Sequence, residues 1–306
     1  MSTDGIWVSF QCPGAIYGAV VESELDLRIC WVVLTMGDRP AELRAALASI
    51  RAVAPEDEIV VIENGGEPGE LSGARSIALA ENIGIPGGRD LAVAESDADL
   101  HVFLDDDAIV KSFAPTELRS RFAASPRLGV VSFRLVDEQR ESAQRHVPRF
   151  GGRDAERGGD VATFLGGACA IRTTAYREVG GYWTGLWYGH EELDLAWRLL
   201  DRGWDIAYDP SFVIFHPHTE ISRHGPGWRL TGRNRVLVAR RSLPWPLVWV
   251  HTSAWLVLGS WRAPDRVARR SYFEGWRSGW SHPIERAPLR WRTVWHLTRL
   301  RRPPVL

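Results

Sequence analysis

Leu100-His-Val-Phe-Leu-Asp-Asp-Asp-Ala108 is the stretch whose reading decides the fold class. Residues 100–104 form an apolar run of strand length without the strict alternation of a half-exposed strand, so they read as a strand covered on both faces. The run stops at three consecutive carboxylates, Asp105, Asp106 and Asp107. Such a cluster at the end of a buried strand repels itself and needs a cation beside it to stay ionised. Side chains alternate along an extended chain, so Asp105 and Asp107 are expected to share a direction, with Asp106 opposite. Hard oxygen ligands suit Mg²⁺ or Mn²⁺, whose remaining positions are commonly filled by phosphate oxygens. An isolated acidic triplet reads more simply as a solvated turn or helix cap. The strand before it, and the other polar strand ends in the chain, favour a metal site.

The same cycle recurs on both sides of that stretch. Arg28–Thr35 is a short, apolar, β-branched run that breaks at Met36-Gly-Asp-Arg-Pro40 and leads into a helical stretch, Ala41–Arg51. Glu58–Ile62 reads as a second strand ending at Glu63-Asn-Gly-Gly66, Ser76–Ala80 as a third, and Gly88–Glu95 as a helix after it. Downstream, Leu128–Val136 reads as a strand and Arg149–Gly159 as a glycine-rich, charged loop. Thr163–Ile171 reads as a strand containing Gly166 and Gly167, Glu191–Arg202 as an amphipathic helix, and Asp205–Phe215 as a strand running into His216-Pro-His218. Strands alternating with helices at this spacing imply an α/β sheet with helices on both faces. In such sheets ligands gather at the carboxyl ends of the strands. Thr35, Glu63, Asn64, Asn82 and the Asp triplet are therefore expected to face one crevice. Residues 1–27 form a lead-in, with one further strand expected near Ile6–Phe10.

Two more segments carry chemistry. In Gly189-His-Glu-Glu-Leu-Asp-Leu-Ala-Trp-Arg198, acids open a helix, which the helix dipole alone would favour. The aromatic, glycine-rich segment before it, Gly180-Gly-Tyr-Trp-Thr-Gly-Leu-Trp-Tyr-Gly189, reads as a sugar platform on a mobile loop. A carboxylate at that helix start is placed to accept a proton from a sugar hydroxyl. His216 and His218 end a strand, where an imidazole can join a carboxylate on Mn²⁺.

In this order the segments resemble the family 2 inverting glycosyltransferases with the GT-A fold, nearest to the rhamnosyltransferase-like and galactofuranosyltransferase-like bacterial members. The resemblance runs from about Ile29 to Arg241. It rests on Thr35 with Asp38-Arg39-Pro40, Val61-Ile-Glu-Asn-Gly65, Asn82-Ile-Gly84 with Gly87-Gly-Arg-Asp90, the Asp triplet, Gly166-Gly-Ala168, His190-Glu-Glu-Leu-Asp-Leu195 and the His216 strand. It implies a Rossmann-like mixed α/β sheet sandwiched by helices, a UDP- or dTDP-sugar donor and a divalent cofactor, Mn²⁺ or Mg²⁺. By resemblance, Thr35 and Glu63 lie at the base and ribose, Asn64 joins the nucleotide-sugar contacts, and Asn82, Gly84 and Arg89 lie on the nucleotide and diphosphate side. Asp105 reaches the ribose beside Asp106. Asp107 is implied as metal ligand, joined by His216 or His218. Glu192 matches the catalytic base, with Glu191 as the alternative, and Gly166, Gly167, Trp187 and His190 lie on the acceptor side. The resemblance further implies a sugar or lipid-linked acceptor, on a glycan, glycolipid or glycosylated metabolite, as in cell-wall or polysaccharide synthesis. The chain departs from the family at Glu63 and Glu192, where Asp is commoner, and at Asp90, where Asn is usual.

Composition bounds the rest. A chain of 306 residues, 45% hydrophobic and 25% charged, has the makeup of a folded domain with a sizeable core. Three cysteines fit no disulfide framework or zinc cage, and no basic segment followed by an apolar run opens the chain, so a cytoplasmic location is expected. From Arg223 onward there are seventeen arginines against three acids and nine of the fifteen tryptophans. The expected organisation is therefore a lead-in (1–27), a catalytic domain (28–222) and a basic, Trp-rich helical extension (223–306). Trp245–Trp261 is nearly uncharged but short for a membrane span. Its flanks suit either a helix lying in the membrane interface on the inner face of the cell membrane or one packed on the catalytic domain. Arg229, Arg233, Arg235, Arg240 and Arg241 are expected to suit diphosphate groups. No nucleic-acid module accompanies the charge, so no nucleic-acid partner is expected. Two rivals remain: a sugar-nucleotide pyrophosphorylase, which the single lysine, Lys111, disfavours, and a non-catalytic binding module of the same fold.

Overall fold

The structure, a computed structural model, describes residues 27–66, 71, 73–149, 151–152, 154–217 and 227–305. The strand expected near Ile6–Phe10, His218 and the boundary expected at 222/223 lie outside them. The elements in order are β1 (Ile29–Thr35), α1 (Pro40–Val53), β2 (Glu58–Asn64), β3 (Arg75–Leu79), α2 (Gly84–Ala94), β4 (Leu100–Asp105), β5 (Ile109–Ser112), α3 (Pro115–Ala124) and β6 (Leu128–Val136). There follow β7 (Gly159–Asp160), β8 (Ala168–Arg172), α4 (Thr173–Glu178), α5 (Glu191–Arg202), β9 (Asp205–Phe215), α6 (Gly227–Ser242), α7 (Trp245–Arg262), α8 (Arg266–Ser281) and α9 (Trp291–Arg299).

Among the described residues the strands form one mixed sheet, ordered β3-β2-β1-β4-β8-β6-β9-β5 with β7 on β9. Strands β3, β2, β1 and β4 run parallel, and β8 is antiparallel to β4 and to β6. The unbroken apolar runs have a direct cause: alternate residues enter two different cores. Cys30 and Val32 join one cluster with α2 and α5, while Trp31 and Val33 join another with α1 and α3. Parallel register brings the carboxyl ends of β1, β2 and β4 level, with Leu34 opposite Asp105 and Thr35 opposite Glu63.

Two elements differ from the sequence expectation. Helix α2 begins at Gly84, four residues before the expected Gly88. The Pro86-Gly-Gly88 segment looks like a breaker, yet proline suits a first helical turn. Asn82 Oδ1 accepts from the Gly84 N–H (2.8 Å), Asn64 Oδ1 accepts from the Ile83 N–H (2.8 Å), and Gly84 supplies a left-handed φ of 81°. The second difference concerns Thr163–Ile171, where only Ala168 onward is strand. Gly166 and Gly167 lie in the approach to it, because a Cβ at either would overlap Glu192 and Arg89, or Asp105.

The basic section packs on the rest of the chain. Leu237, Val238, Leu243, Val248 and Leu297 share an apolar cluster with Leu195, Trp197 and Leu199 of α5. Four of the five arginines expected to suit diphosphates are turned to protein groups instead. Arg233 donates to the carbonyls of Gly185 and Leu186, and Arg240 to those of Gly279 and His282. Arg241 bonds Asp194, and Arg235 stacks 3.5 Å from the Trp255 ring centroid. Among the described residues no helix is long and apolar enough to cross a membrane.

Candidate active site

A cavity of about 510 Å³ opens at the carboxyl ends of β1, β2 and β4. Thr35, Asn64, Asn82, Gly84 and Arg89 line it from the parallel half of the sheet and α2. The Asp triplet, Gly167 and His216 line a second part of it, here called the floor, and Trp187, His190, Glu191 and Glu192 a third, the wall. Gly166 does not line the cavity but backs directly on Glu192. Glu63 is fully buried and does not line the cavity, its carboxylate accepting from Ser76.

The triplet is a turn, not a continued strand. The Ala108 N–H donates to the Asp105 carbonyl (3.1 Å), so simple alternation ends at Asp105. Asp105 and Asp107 nevertheless converge as expected: His216 Nε2 lies 3.5 Å from Asp105 Oδ2 and 3.3 Å from Asp107 Oδ1. Asp106 turns back toward β1, accepting from Thr35 Oγ1 (2.7 Å), and lies 3.2 Å from Arg39 Nη2. Arg39 also bonds Asp107, and Arg89 Nη2 donates to Asp105 Oδ1 (3.2 Å).

These neighbours set the charges. Burial would raise the Asp105 carboxyl, but hydrogen bonding to His216 and the charge of Arg89 outweigh it and hold it at about 2. Asp106 is pushed up to about 6 by burial, which Thr35 and Arg39 oppose and the other two acids reinforce. Burial would lower His216, yet the bond and charge of Asp105, with the charge of Asp107, raise it to about 9.

The donor set fits a hard divalent cation in part. His216 Nδ1 lies 2.8 Å from the Pro217 carbonyl, to which it donates, leaving Nε2 directed at the two carboxylates. Among the described residues no three His, Cys, Asp or Glu side chains form a ready-made metal cage. Asp107 and His216 are thus the two side chains here that could hold such a cation, with room left for oxygen ligands from elsewhere.

The wall carries the acid pair. Glu191 is 2% exposed and its Oε2 has no hydrogen-bond partner, while Glu192 is part-buried against Gly166 and near Arg89. Burial raises both carboxyls, and the charge of Glu192 adds to the effect on Glu191. A carboxylate raised in this way is a stronger proton acceptor than an ordinary one. Trp187 (φ 61°) and His190 (φ 73°) stand in the left-handed region immediately before the pair. The structure adds lining residues that the sequence reading did not assign: Arg39, Arg145, His146, Tyr188 and Thr231. Arg39 follows a strand end, the same signal that marked the others. Thr231, contributed by α6, has no local signal.

Residues 31–180 match the family model described as Glycosyl transferase family 2. The pre-mycofactocin glycosyltransferase of Mycobacterium tuberculosis, in two strains, is 24% identical over 204 residues, covering 61% of this chain and 42% of that protein. The chain thus spans about two fifths of the length of that relative. Among solved structures, GalNAc-T7 with UDP, GalNAc and Mn²⁺ superposes with a TM-score of 0.58 at 13% identity, over 84% of this chain and 56% of that one. The mannosyltransferase PcManGT from Pyrobaculum calidifontis, with GDP-Man and Mn²⁺, gives 0.53 at 16% identity, over 93% and 88%. S. aureus TarS 1-349 gives 0.51 at 11%, over 83% and 90%. At these identities the likeness to the solved structures is one of fold.

Proposed function

We propose that this chain, which carries a family 2 glycosyl transferase domain over residues 31–180 in the GT-A fold, moves a sugar from a nucleoside-diphosphate sugar to an acceptor hydroxyl with inversion. One observation carries the reading: the Asp105–Asp107 turn with His216, and the carboxylate of Glu192, line one cavity, with Arg89 near both.

The nucleoside lies against Thr35, Asn64 and Asn82, at the amino end of α2, and its diphosphate faces Asp105–Asp107. The sugar lies between that floor and the wall formed by Trp187, His190 and Glu192. The acceptor oxygen attacks the anomeric carbon on the face opposite the leaving group. The bond from that carbon to the diphosphate oxygen breaks, and the acceptor proton passes to a Glu192 carboxylate oxygen. A single displacement of this kind inverts the anomeric centre. Glu192 is favoured over Glu191 as the base because it is the less enclosed of the two. Asp107 and His216 would hold a divalent cation, Mn²⁺ or Mg²⁺, which when bound offsets the negative charge of the diphosphate as a Lewis acid. Two of the similar structures hold Mn²⁺ with a nucleotide or nucleotide sugar, which supports that assignment.

A specific observation favours an acceptor at a membrane surface. Trp249, Val250, Val257 and Trp261 stand exposed on α7, a helix whose only charged residue is its last, Arg262. The section from residue 223 on also carries seventeen arginines against three acids, though Arg233, Arg235, Arg240 and Arg241 among them face protein groups. Exposed apolar side chains in a section with excess cations suit an anionic lipid interface.

The decisive experiment is thermal stability of the protein with UDP, dTDP and GDP, each with and without Mn²⁺, repeated on Asp107→Ala. A ligand that binds only the folded state raises the midpoint according to its affinity. A metal-dependent shift with one nucleotide, absent in the variant, identifies the donor class. No shift with any nucleotide would move the reading to a non-catalytic module.

A further inference from the structure

The wall that carries Glu192 has a shape its own sequence does not explain. Trp187 and His190 both hold a positive φ that side-chain-bearing residues rarely adopt, with Gly189 (φ 78°) between them. Such geometry persists only where the surroundings over-determine it. The surroundings here are two helices distant in sequence. The Asn234 side chain, 0% exposed on α6, directs Nδ2 at the carbonyls of Leu186 (2.9 Å), Tyr188 (2.8 Å) and Gly189 (2.8 Å). Arg233 Nη2 donates to the carbonyls of Gly185 (3.0 Å) and Leu186 (2.9 Å). From the other side, the Ile85 N–H at the start of α2 donates to the Trp187 carbonyl (2.9 Å). Gly84 lets that carbonyl approach, since a Cβ there would overlap it. Every carbonyl from Gly185 to Gly189 therefore faces a donor from α6 or α2.

We infer that Asn234 is a positioning residue for the transfer reaction: it holds the 186–189 carbonyls so that Trp187, His190 and Glu192 keep their places around the acceptor hydroxyl. An apolar residue would serve α6 as well if packing were its only task, because Val236, Leu237 and Val238 already bury themselves beside it. Instead the amide is fully buried. Its oxygen accepts from Arg233 Nε (3.0 Å), which orients the guanidinium toward the same loop. All the polar contacts of Asn234 end, directly or through Arg233, on residues 185–189. The C-terminal section is thereby part of the catalytic wall.

The inference rests on the role proposed for Glu192, and its test separates the two. Asn234→Leu keeps the size of the side chain and removes its donors. Backbone amide exchange in a peptide spanning residues 185–190 should rise at least tenfold, while peptides from β1 and β4 exchange as in the wild type. With the donor identified by thermal shift, kcat should fall about 10- to 100-fold, as expected for a catalytic group displaced by about 1 Å, and donor KM should stay within about threefold. Should Asn234→Leu fail to fold, Asn234→Ser serves for the same measurements. Unchanged exchange at 185–190, or a kcat loss no larger than the loss of folded protein, would overturn the inference. If the wild type turns over no nucleotide sugar, the exchange measurement alone decides: a local rise upholds the clamp, and its absence removes it.

Discussion

Replacing Gly167 by alanine tests the floor of the cavity with a single methyl group. A Cβ at 167 falls inside the van der Waals envelope of all three carboxylate atoms of Asp105. Carbon contacts settle near 3.5–4.0 Å, so the carboxylate must retreat by about 1 Å or more. That movement pulls the carboxylate off its contacts with Arg89 Nη2 at 3.2 Å and His216 Nε2 at 3.5 Å. Gly167 has no positive φ, so the methyl group brings crowding without backbone strain. Overpacking of this kind costs about 1–3 kcal/mol, and Asp105 sits at the cavity where it can yield, so the fold should survive. A catalytic group displaced by about 1 Å loses roughly 100-fold in rate. Initial rates of nucleoside diphosphate release, measured with the donor that gives the thermal shift, should therefore drop by about that factor, with far-ultraviolet circular dichroism unchanged. A Gly167→Ala protein that keeps more than about a fifth of wild-type kcat/KM would refute the reasoning, because Asp105 could then move without consequence.

Other outcomes follow from the same geometry. Glu192→Gln should lose about 10²–10⁴-fold in kcat, the usual contribution of a general base, and a residual rate above a tenth of wild type would point to Glu191 instead. Because Glu192 is held above the ordinary carboxylate range, the wild-type rate should climb with pH on a limb displaced upward from about 4.3. The same shift has a stability sign. A carboxyl raised in the folded state favours folding below the ordinary carboxylate range and loses that advantage as pH rises through the raised value. Glu192→Gln should therefore match the wild-type melting temperature in acid and exceed it near neutrality, and a constant gap across pH would contradict the burial argument. His216→Ala should abolish the extra thermal shift that Mn²⁺ gives to the nucleotide, with the metal-free shift preserved. For the exposed face of α7, the protein should co-sediment with phosphatidylglycerol vesicles and not with phosphatidylcholine vesicles. Trp249→Glu with Val257→Glu should release it; unaltered sedimentation of that variant would assign the attraction to charge alone.

The parallel half of the site was legible because strand ends and helix starts leave local marks. Apolar runs that stop at Thr35, Asn64 and Asp105 declare which groups will stand at the rim, and Glu191–Arg202 declares its helix by period. Where the reading slipped, a long-range contact had overruled a local preference. Gly166 and Gly167 looked like residues of a strand, but they are small because Glu192 and Asp105 occupy the space beside them. Glu63 stands at the last-but-one position of β2, yet it is fully buried, takes a hydrogen bond from Ser76 on the neighbouring β3 and does not line the cavity. The Arg233–Arg241 group looked like an anion site by charge, whereas carbonyls, an indole ring and Asp194 face those guanidinium groups.

The division expected between a catalytic domain and a basic extension meets its hardest case at Asp194. This carboxylate, 0% exposed one turn into α5, accepts from Arg198 within its own helix and from Arg241 on α6 at 2.8 Å. Arg198 in turn donates to the carbonyls of Val179 and Gly181, at the start of the aromatic segment that ends in the strained loop. Removing one partner of a buried ion pair typically costs about 3–5 kcal/mol, because the other charge stays behind. The two arginines differ in what they reach. Arg198→Met should unsettle the loop base and Asp194 together, while Arg241→Met leaves Asp194 its intrahelical partner and should cost less. Chemical denaturation of the two variants checks the order. If Arg241→Met proves the more damaging, then α6 supports α5 rather than resting on it, and the catalytic wall extends further into the C-terminal section than Asn234 alone implies.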